Sequence, residues 1–255
     1  VAPIVLFMRR RPEDIGLLPD GDKPNESTRA GPGALRRAGG GRRSPAGEAE
    51  FSWTAPEALR SKAFWMVVMT AVTGTLASGS VGFSLVPYLY EDAGLSKGMA
   101  AGVLSIGTFL AIGNLGWGYL ADIYTPRRCL MVTMTGAGVS VLYLITVGSL
   151  PMALVFALAF GISSGPATPL ENMMLAQYFG RNSYGTISGI YTPFQTIMLG
   201  LGPSFASVLR EITGGYETLY VIAAVLYFLS AIFVILARPP ALPARALAES
   251  TVQAE

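Results

Sequence analysis

Residues 63–90, AFWMVVMTAVTGTLASGSVGFSLVPYLY, run from Ala63 to Tyr90 without one charged side chain. As an α-helix such a run rises about 40 Å, more than the roughly 30 Å hydrocarbon thickness of a bilayer. Five further apolar segments follow, at about Met99–Ala121, Cys129–Val147, Pro151–Tyr178, Tyr184–Leu209 and Tyr216–Ala237. Each is long enough to span as a helix. None shows the roughly ten-residue alternation of a transmembrane barrel strand. The reading is an all-α integral membrane protein with six spans.

Composition agrees. The chain is 51% hydrophobic and 13% charged, against about 25% charged in a soluble domain, and between Ala63 and Ala237 most charges sit in short clusters. A charge at the bilayer centre costs at least a few kcal/mol, so a membrane selects this segregation. The net charge of +2 comes without interleaved aromatic and basic residues, so nucleic acid is not expected as a partner. The chain has no histidine, and Cys129 is its single cysteine. An intrachain disulfide is therefore excluded, and no metal or other cofactor is expected. No glycine run ending in Gly-Lys-Ser/Thr offers a phosphate cradle, and no pair of acids clusters within a span. Neither an ATP-driven pump nor an enzyme is expected.

Four regions follow from the sequence. Residues 1–8 form an apolar stub covering about 12 Å of helix, read as the remnant of a preceding transmembrane helix. Residues 9–62 form a polar arm rich in arginine, glycine and proline, ending in an interfacial helix. Its start is marked by Thr54 and Glu57, the spacing of a capping box, with Trp53, Phe64 and Trp65 expected in the headgroup zone. Residues 63–238 carry the six spans, and 239–255 form a tail. Placing arm and tail in the cytoplasm puts sixteen of the eighteen lysines and arginines inside, as the positive-inside rule requires. The expected location is an inner or plasma membrane.

Within the spans, Gly161 with Gly165 and Gly185 with Gly189 are four apart, a spacing that lets helices approach closely. Gly165-Pro166-Ala167-Thr168-Pro169 predicts a bend or short unwinding, because proline removes a backbone donor. Tyr191-Thr192-Pro193-Phe194-Gln195 predicts a second break. Glu171 is the one acid well inside a span, and it must face a cavity, pair with a donor or carry a proton. A structural hydrogen bond to neighbouring helices and a coupling role both remain open for it. Asn114 and Gln195 stand out because a buried amide needs partners, whereas serines and threonines of the first span commonly bond back to their own helix.

Gly118-Tyr119-Leu120-Ala121-Asp122 followed by Arg127-Arg128 resembles the Gly-x-Leu-Ala-Asp…Arg-Arg cytoplasmic loop of the major facilitator superfamily. Residues 11–21, 57–65, 178–185 and Gly202-Pro203 resemble its monocarboxylate and oxalate/formate-type branch. The resemblance implies a six-helix C-terminal bundle of a twelve-helix fold, built as an inverted three-plus-three repeat and packed against a missing N-terminal six-helix bundle. It implies gating roles for Asp122, Arg127 and Arg128. The sequence departs from the pattern at Ile123, where a basic residue is usual, and at Thr125-Pro126, where the family has glycine and arginine. Alternating access near mid-depth is implied, with Asn114, Glu171, Asn172, Tyr191 and Gln195 as candidate substrate or coupling contacts. The expected partners are membrane lipid, a small organic solute and a proton or co-ion. The solute could be a carboxylate, moved by symport or by exchange for another anion. The alternative is a non-transporting membrane scaffold or receptor-like protein.

Overall fold

Apolar runs become helices because a backbone without water must satisfy its own hydrogen bonds, and the computed structural model of the chain is helical wherever it is regular. It describes residues 53–109, 114–180 and 183–240. The stub 1–8, most of the arm, Arg181 and residues 241–255 lie outside them. The helices are α1 Ala55–Arg60, α2 Lys62–Glu91, α3 Lys97–Phe109, α4 Asn114–Ile123, α5 Pro126–Leu144, α6 Leu150–Ser164, α7 Ala167–Phe179, α8 Tyr184–Thr213 and α9 Glu217–Leu236. No strand occurs among the described residues.

Three helical stretches among the described residues are long and apolar enough to cross a membrane: α2, the run Leu150–Phe179 formed by α6 and α7, and α9. The remaining expected spans are more polar or interrupted. Helix α8 has 30 residues but carries serine, threonine and glutamine along its length. Helix α5 starts with Arg127 and Arg128, and residues 110–113 between α3 and α4 are not described.

Packing forms a ring of neighbours. Helix α2 contacts α8, α9 and α3, α9 also lies on α5, and α6 bridges α5 and α3. The α2–α8 crossing is backbone on backbone. A Cβ added to Gly202 would lie 2.6 Å from the carbonyl carbon of Gly79 and 2.7 Å from the nitrogen of Ser80. One added to Gly79 would lie 2.8 Å from the Leu199 carbonyl oxygen. Ser80 lies at the crossing, its hydroxyl shared between the Leu76 carbonyl of its own helix at 2.7 Å and the Gly202 carbonyl across it at 3.2 Å. Gly185 and Gly189 are not at such a crossing, since an added Cβ at either meets nothing within 4 Å. Most hydroxyls in α2 bond within the helix, as Thr73 to the Met69 carbonyl at 2.8 Å and Ser84 to the Ser80 carbonyl at 2.8 Å.

The capping box forms: the Glu57 carboxylate accepts from the Thr54 N–H at 2.9 Å and from its hydroxyl at 2.7 Å. Trp53 and Phe64 are buried rather than placed on the rim, at 7% and 0% exposure. Both meet Phe179 edge to face, at 5.8 and 6.1 Å, because three aromatic edges and faces close the end of the bundle better than solvent does. Trp65 alone of the three is exposed.

Of the two expected proline breaks, one is seen. Helix α6 ends at Ser164 and α7 starts at Ala167, with Gly165 and Pro166 between them still in right-handed conformation. The second is not: α8 runs unbroken through Pro193 and Pro203. One missing N–H is a small loss in so long a helix. The hydroxyls of Thr192 and Thr196 bond to the Ser188 and Thr192 carbonyls around it, at 2.8 and 3.1 Å.

Thr125, which precedes α5, has φ 138° and ψ 142°, a region where a Cβ crowds the backbone and glycine is at ease. It stands where the resemblance has glycine. Thr125→Gly is expected to stabilise the protein by about 1 kcal/mol, since strain of this kind costs about 1–3 kcal/mol and a glycine cap loses only a few tenths. A thermal melt in detergent should show a rise of roughly 2–4 °C; an unchanged or lower melting temperature would mean the position is unstrained.

Candidate functional site

Helix α7 begins beyond the Gly165–Pro166 interruption, which sets the rotation of its first turns. Glu171 lies eight residues before Phe179, about 12 Å along the helix from that end, and is 2% exposed. Helix α8 faces it with Tyr191 and Gln195, one turn apart and so on one side of the helix. Glu171 Oε2 accepts from the Tyr191 hydroxyl at 2.5 Å and from Gln195 Nε2 at 2.6 Å. Tyr191 is fully buried and Gln195 partly so. No basic side chain pairs with Glu171 among the described residues.

The chemistry of the arrangement is a buried carboxyl whose two partners are neutral. An ionised carboxylate there has hydrogen bonds but no counter-charge, and a buried charge without one is costly. Both donors converge on one oxygen, which leaves Oε1 without a hydrogen-bond partner among the described residues and able to carry a proton. The side of α8 away from its buried seam of Ile187, Tyr191, Gly202 and Ala206 is open and bears Thr186, Thr192 and Thr196.

The remaining candidates are not drawn into this cluster. Asn172 is half-buried beside Glu171, and its side chain makes no hydrogen bond among the described residues. Asn114 heads α4, and its side chain lies outside the described residues. At the end of the bundle, Asp122 and Arg128 are exposed, and Asp122 has no partner among the described residues. Arg127 does: its Nε donates to the Val234 carbonyl at 3.1 Å and its guanidinium also reaches Ile235 O. The Tyr178 hydroxyl donates to the Ala237 carbonyl at 2.7 Å. Two of the last carbonyls of α9, which have no partners within the helix, are thus held by a cation, and the Ala237 carbonyl just beyond the helix by a phenol, from two other helices. A cation also suits the negative end of the helix dipole. No local sequence signal marks Tyr178 for this contact, although it opens the 178–185 stretch. At the opposite end Arg210 pairs with Glu91 and lies 4.6 Å over the Tyr216 ring; both charges are well exposed, so the pair is worth little to stability.

The profile of the Major Facilitator Superfamily matches residues 1–203 and, in a second alignment, 71–254. The chain belongs to the major facilitator superfamily, a family of membrane transporters and not of enzymes. Among curated relatives it is similar to Monocarboxylate transporter 13 of Rattus norvegicus, 26% identical over 146 residues, covering 54% of this chain and 34% of the relative. An MFS-type transporter of Gibberella moniliformis is 30% identical over 151 residues, 58% of this chain and 36% of that protein. Monocarboxylate transporter 12 of Homo sapiens is 27% identical over 163 residues, 60% of this chain and 31% of that protein. The chain thus aligns with about a third of the length of these relatives.

Proposed function

We propose that the chain is the C-terminal six-span bundle of an alternating-access transporter for a small organic solute, and that Glu171 is its proton-linked coupling residue. The six crossings are α2, α3 with α4, α5, α6 with α7, α8 and α9, arranged as an inverted three-plus-three repeat. The observation that carries this reading is the carboxyl of Glu171, buried between α7 and α8 with neutral donors only. A purely structural site would be served as well by an uncharged side chain, at lower cost.

The open, hydroxyl-bearing side of α8 faces the solute path and the second bundle. Orientation rests on charge. Arg60, Lys62, Arg127, Arg128 and Arg238 gather at the end where α2 starts and α9 stops, whereas Glu91, Asp92, Glu211 and Glu217 outnumber Lys97 and Arg210 at the other. The basic end is cytoplasmic under the positive-inside rule, which puts Asp122, Arg127 and Arg128 at the inner gate. Arg127 acts there by holding α9.

Similarity to proteins named monocarboxylate transporters favours a small carboxylate as solute, symported with protons or exchanged for another anion. No basic residue lies at mid-depth in the described spans, so the positive charge for a carboxylate comes from the second bundle. The test is uptake of labelled organic acids, sugars and neutral solutes into proteoliposomes holding the intact transporter, under an imposed inward proton gradient. At least one small organic acid is expected to accumulate above its diffusive level, and absence of accumulation across the whole panel would remove the transport reading.

A further inference from the structure

Where α2 begins and α9 stops, a groove of about 570 Å³ is lined by Arg60, Lys62 and Arg238 above Trp53, Ala63 and Leu236. A second groove of about 400 Å³ continues it, sharing Arg60, Lys62 and Leu236 and adding Leu59, Trp65 and Met66. All three cations are exposed, and none has an ion-pair partner among the described residues. The carboxylate in the first groove, Glu57, accepts from the Thr54 N–H and hydroxyl.

The two helices that form this end, α2 and α9, are both long and apolar enough to cross a membrane. Their shared end therefore lies where hydrocarbon meets water. Trp65 marks the same level: the residue is 40% exposed while its Nε1 donates to the Leu59 carbonyl at 2.9 Å, an amphipathic side chain at an interface.

We propose that this groove binds the headgroup of an anionic phospholipid from the surrounding leaflet. The phosphate would sit among Arg60, Lys62 and Arg238, and the acyl chains would descend along Leu59, Met66 and Leu236. The charge pattern selects an anion, because three cations without an ion-pair partner among the described residues, at a low-dielectric boundary, attract negative headgroups. The apolar wall selects a lipid over free phosphate, which would use the cations and leave the wall unused. The neighbouring Arg127 is committed to the α9 carbonyls and takes no part. The opposite end gathers no such cluster among the described residues, since Arg210 is paired with Glu91 and Lys97 lies over the Tyr90 ring.

The experiment is native mass spectrometry of the purified full chain in detergent, titrated separately with phosphatidylglycerol, phosphatidylcholine and glycerol phosphate. Phosphatidylglycerol is expected to be retained at least tenfold better than phosphatidylcholine. Each cation near a headgroup contributes roughly fivefold, so the Arg60→Gln/Lys62→Gln/Arg238→Gln variant should lose on the order of 100-fold. Arg210→Gln and Glu171→Gln should retain the lipid, as should Arg60→Lys with Arg238→Lys. If the triple variant aggregates, Arg238→Gln alone should weaken retention by roughly fivefold, and salt should weaken it further. Equal retention of the two lipids, an unchanged triple variant, or competition by glycerol phosphate as strong as by lipid would each overturn the proposal. So would retention that arises only after residues 241–255 are removed, which would identify the tail as the occupant.

Discussion

Glu171→Gln is expected to abolish gradient-driven accumulation of the transported solute while leaving solute exchange within about tenfold of the wild type. Glutamine keeps the length and shape of the side chain, and its amide oxygen still accepts from the Tyr191 hydroxyl. What it loses is the ability to bind and release a proton. Coupling should therefore fall much further than binding. Tyr191→Phe removes one donor and keeps the carboxyl, so its expected effect is smaller, about fivefold for a neutral bond of about 1 kcal/mol. The measurement is paired: accumulation under a proton gradient, and counterflow without one. Equal loss of both in Glu171→Gln would make the residue a packing or binding element and remove it from coupling.

The second large effect is predicted at the α2–α8 crossing. Gly202→Ala places a methyl group 2.6 Å from the Gly79 carbonyl carbon and 2.8 Å from its Cα, well inside contact distance and against backbone that has no rotamer to change. The helices must separate, at a cost of about 3 kcal/mol by the usual scale of overpacking. Separation would also break the bond from Ser80 to the Gly202 carbonyl. Gly79→Ala meets the Leu199 carbonyl oxygen at 2.8 Å and should cost a similar amount. Gly200, two residues away on the same helix, meets nothing within 4 Å. Gly200→Ala should be neutral or stabilising by up to about 1 kcal/mol, the ordinary helix preference for alanine. Melting temperatures of the three variants decide it, and a Gly202→Ala protein as stable as Gly200→Ala would show that the crossing is looser than described.

The helices were legible because a bilayer enforces long uncharged runs, and α2, α9 and the Leu150–Phe179 stretch follow them closely. The start of α1 was legible from Thr54 and Glu57, whose contact is local. Glu171 was conspicuous as the acid inside a span. Its pairing with Tyr191 and Gln195 was not legible, because it depends on how α7 and α8 are rotated toward each other. Gly79 could not be told from Gly74 or Gly82, all on α2, without knowing which turn meets α8. Gly185 and Gly189 had the favourable spacing and no close neighbour. Pro193 misled in the other direction, since one lost backbone bond does not break a helix whose other turns hold, and α8 runs on through it. Similarly, an aromatic near a span end suggests the headgroup zone, yet Trp53 and Phe64 found Phe179 and turned inward.

The central claim is that a proton taken up at Glu171 travels with the solute, and the direct test is proton movement itself. Proteoliposomes containing the intact transporter and an internal pH-sensitive dye would be exposed to a small organic acid on the outside, with uncatalysed permeation subtracted using protein-free vesicles. The account predicts rapid internal acidification with the wild-type protein and none above the protein-free level with Glu171→Gln, while counterflow shows that the variant still handles the solute. Acidification of equal rate and extent in the two proteins would contradict it.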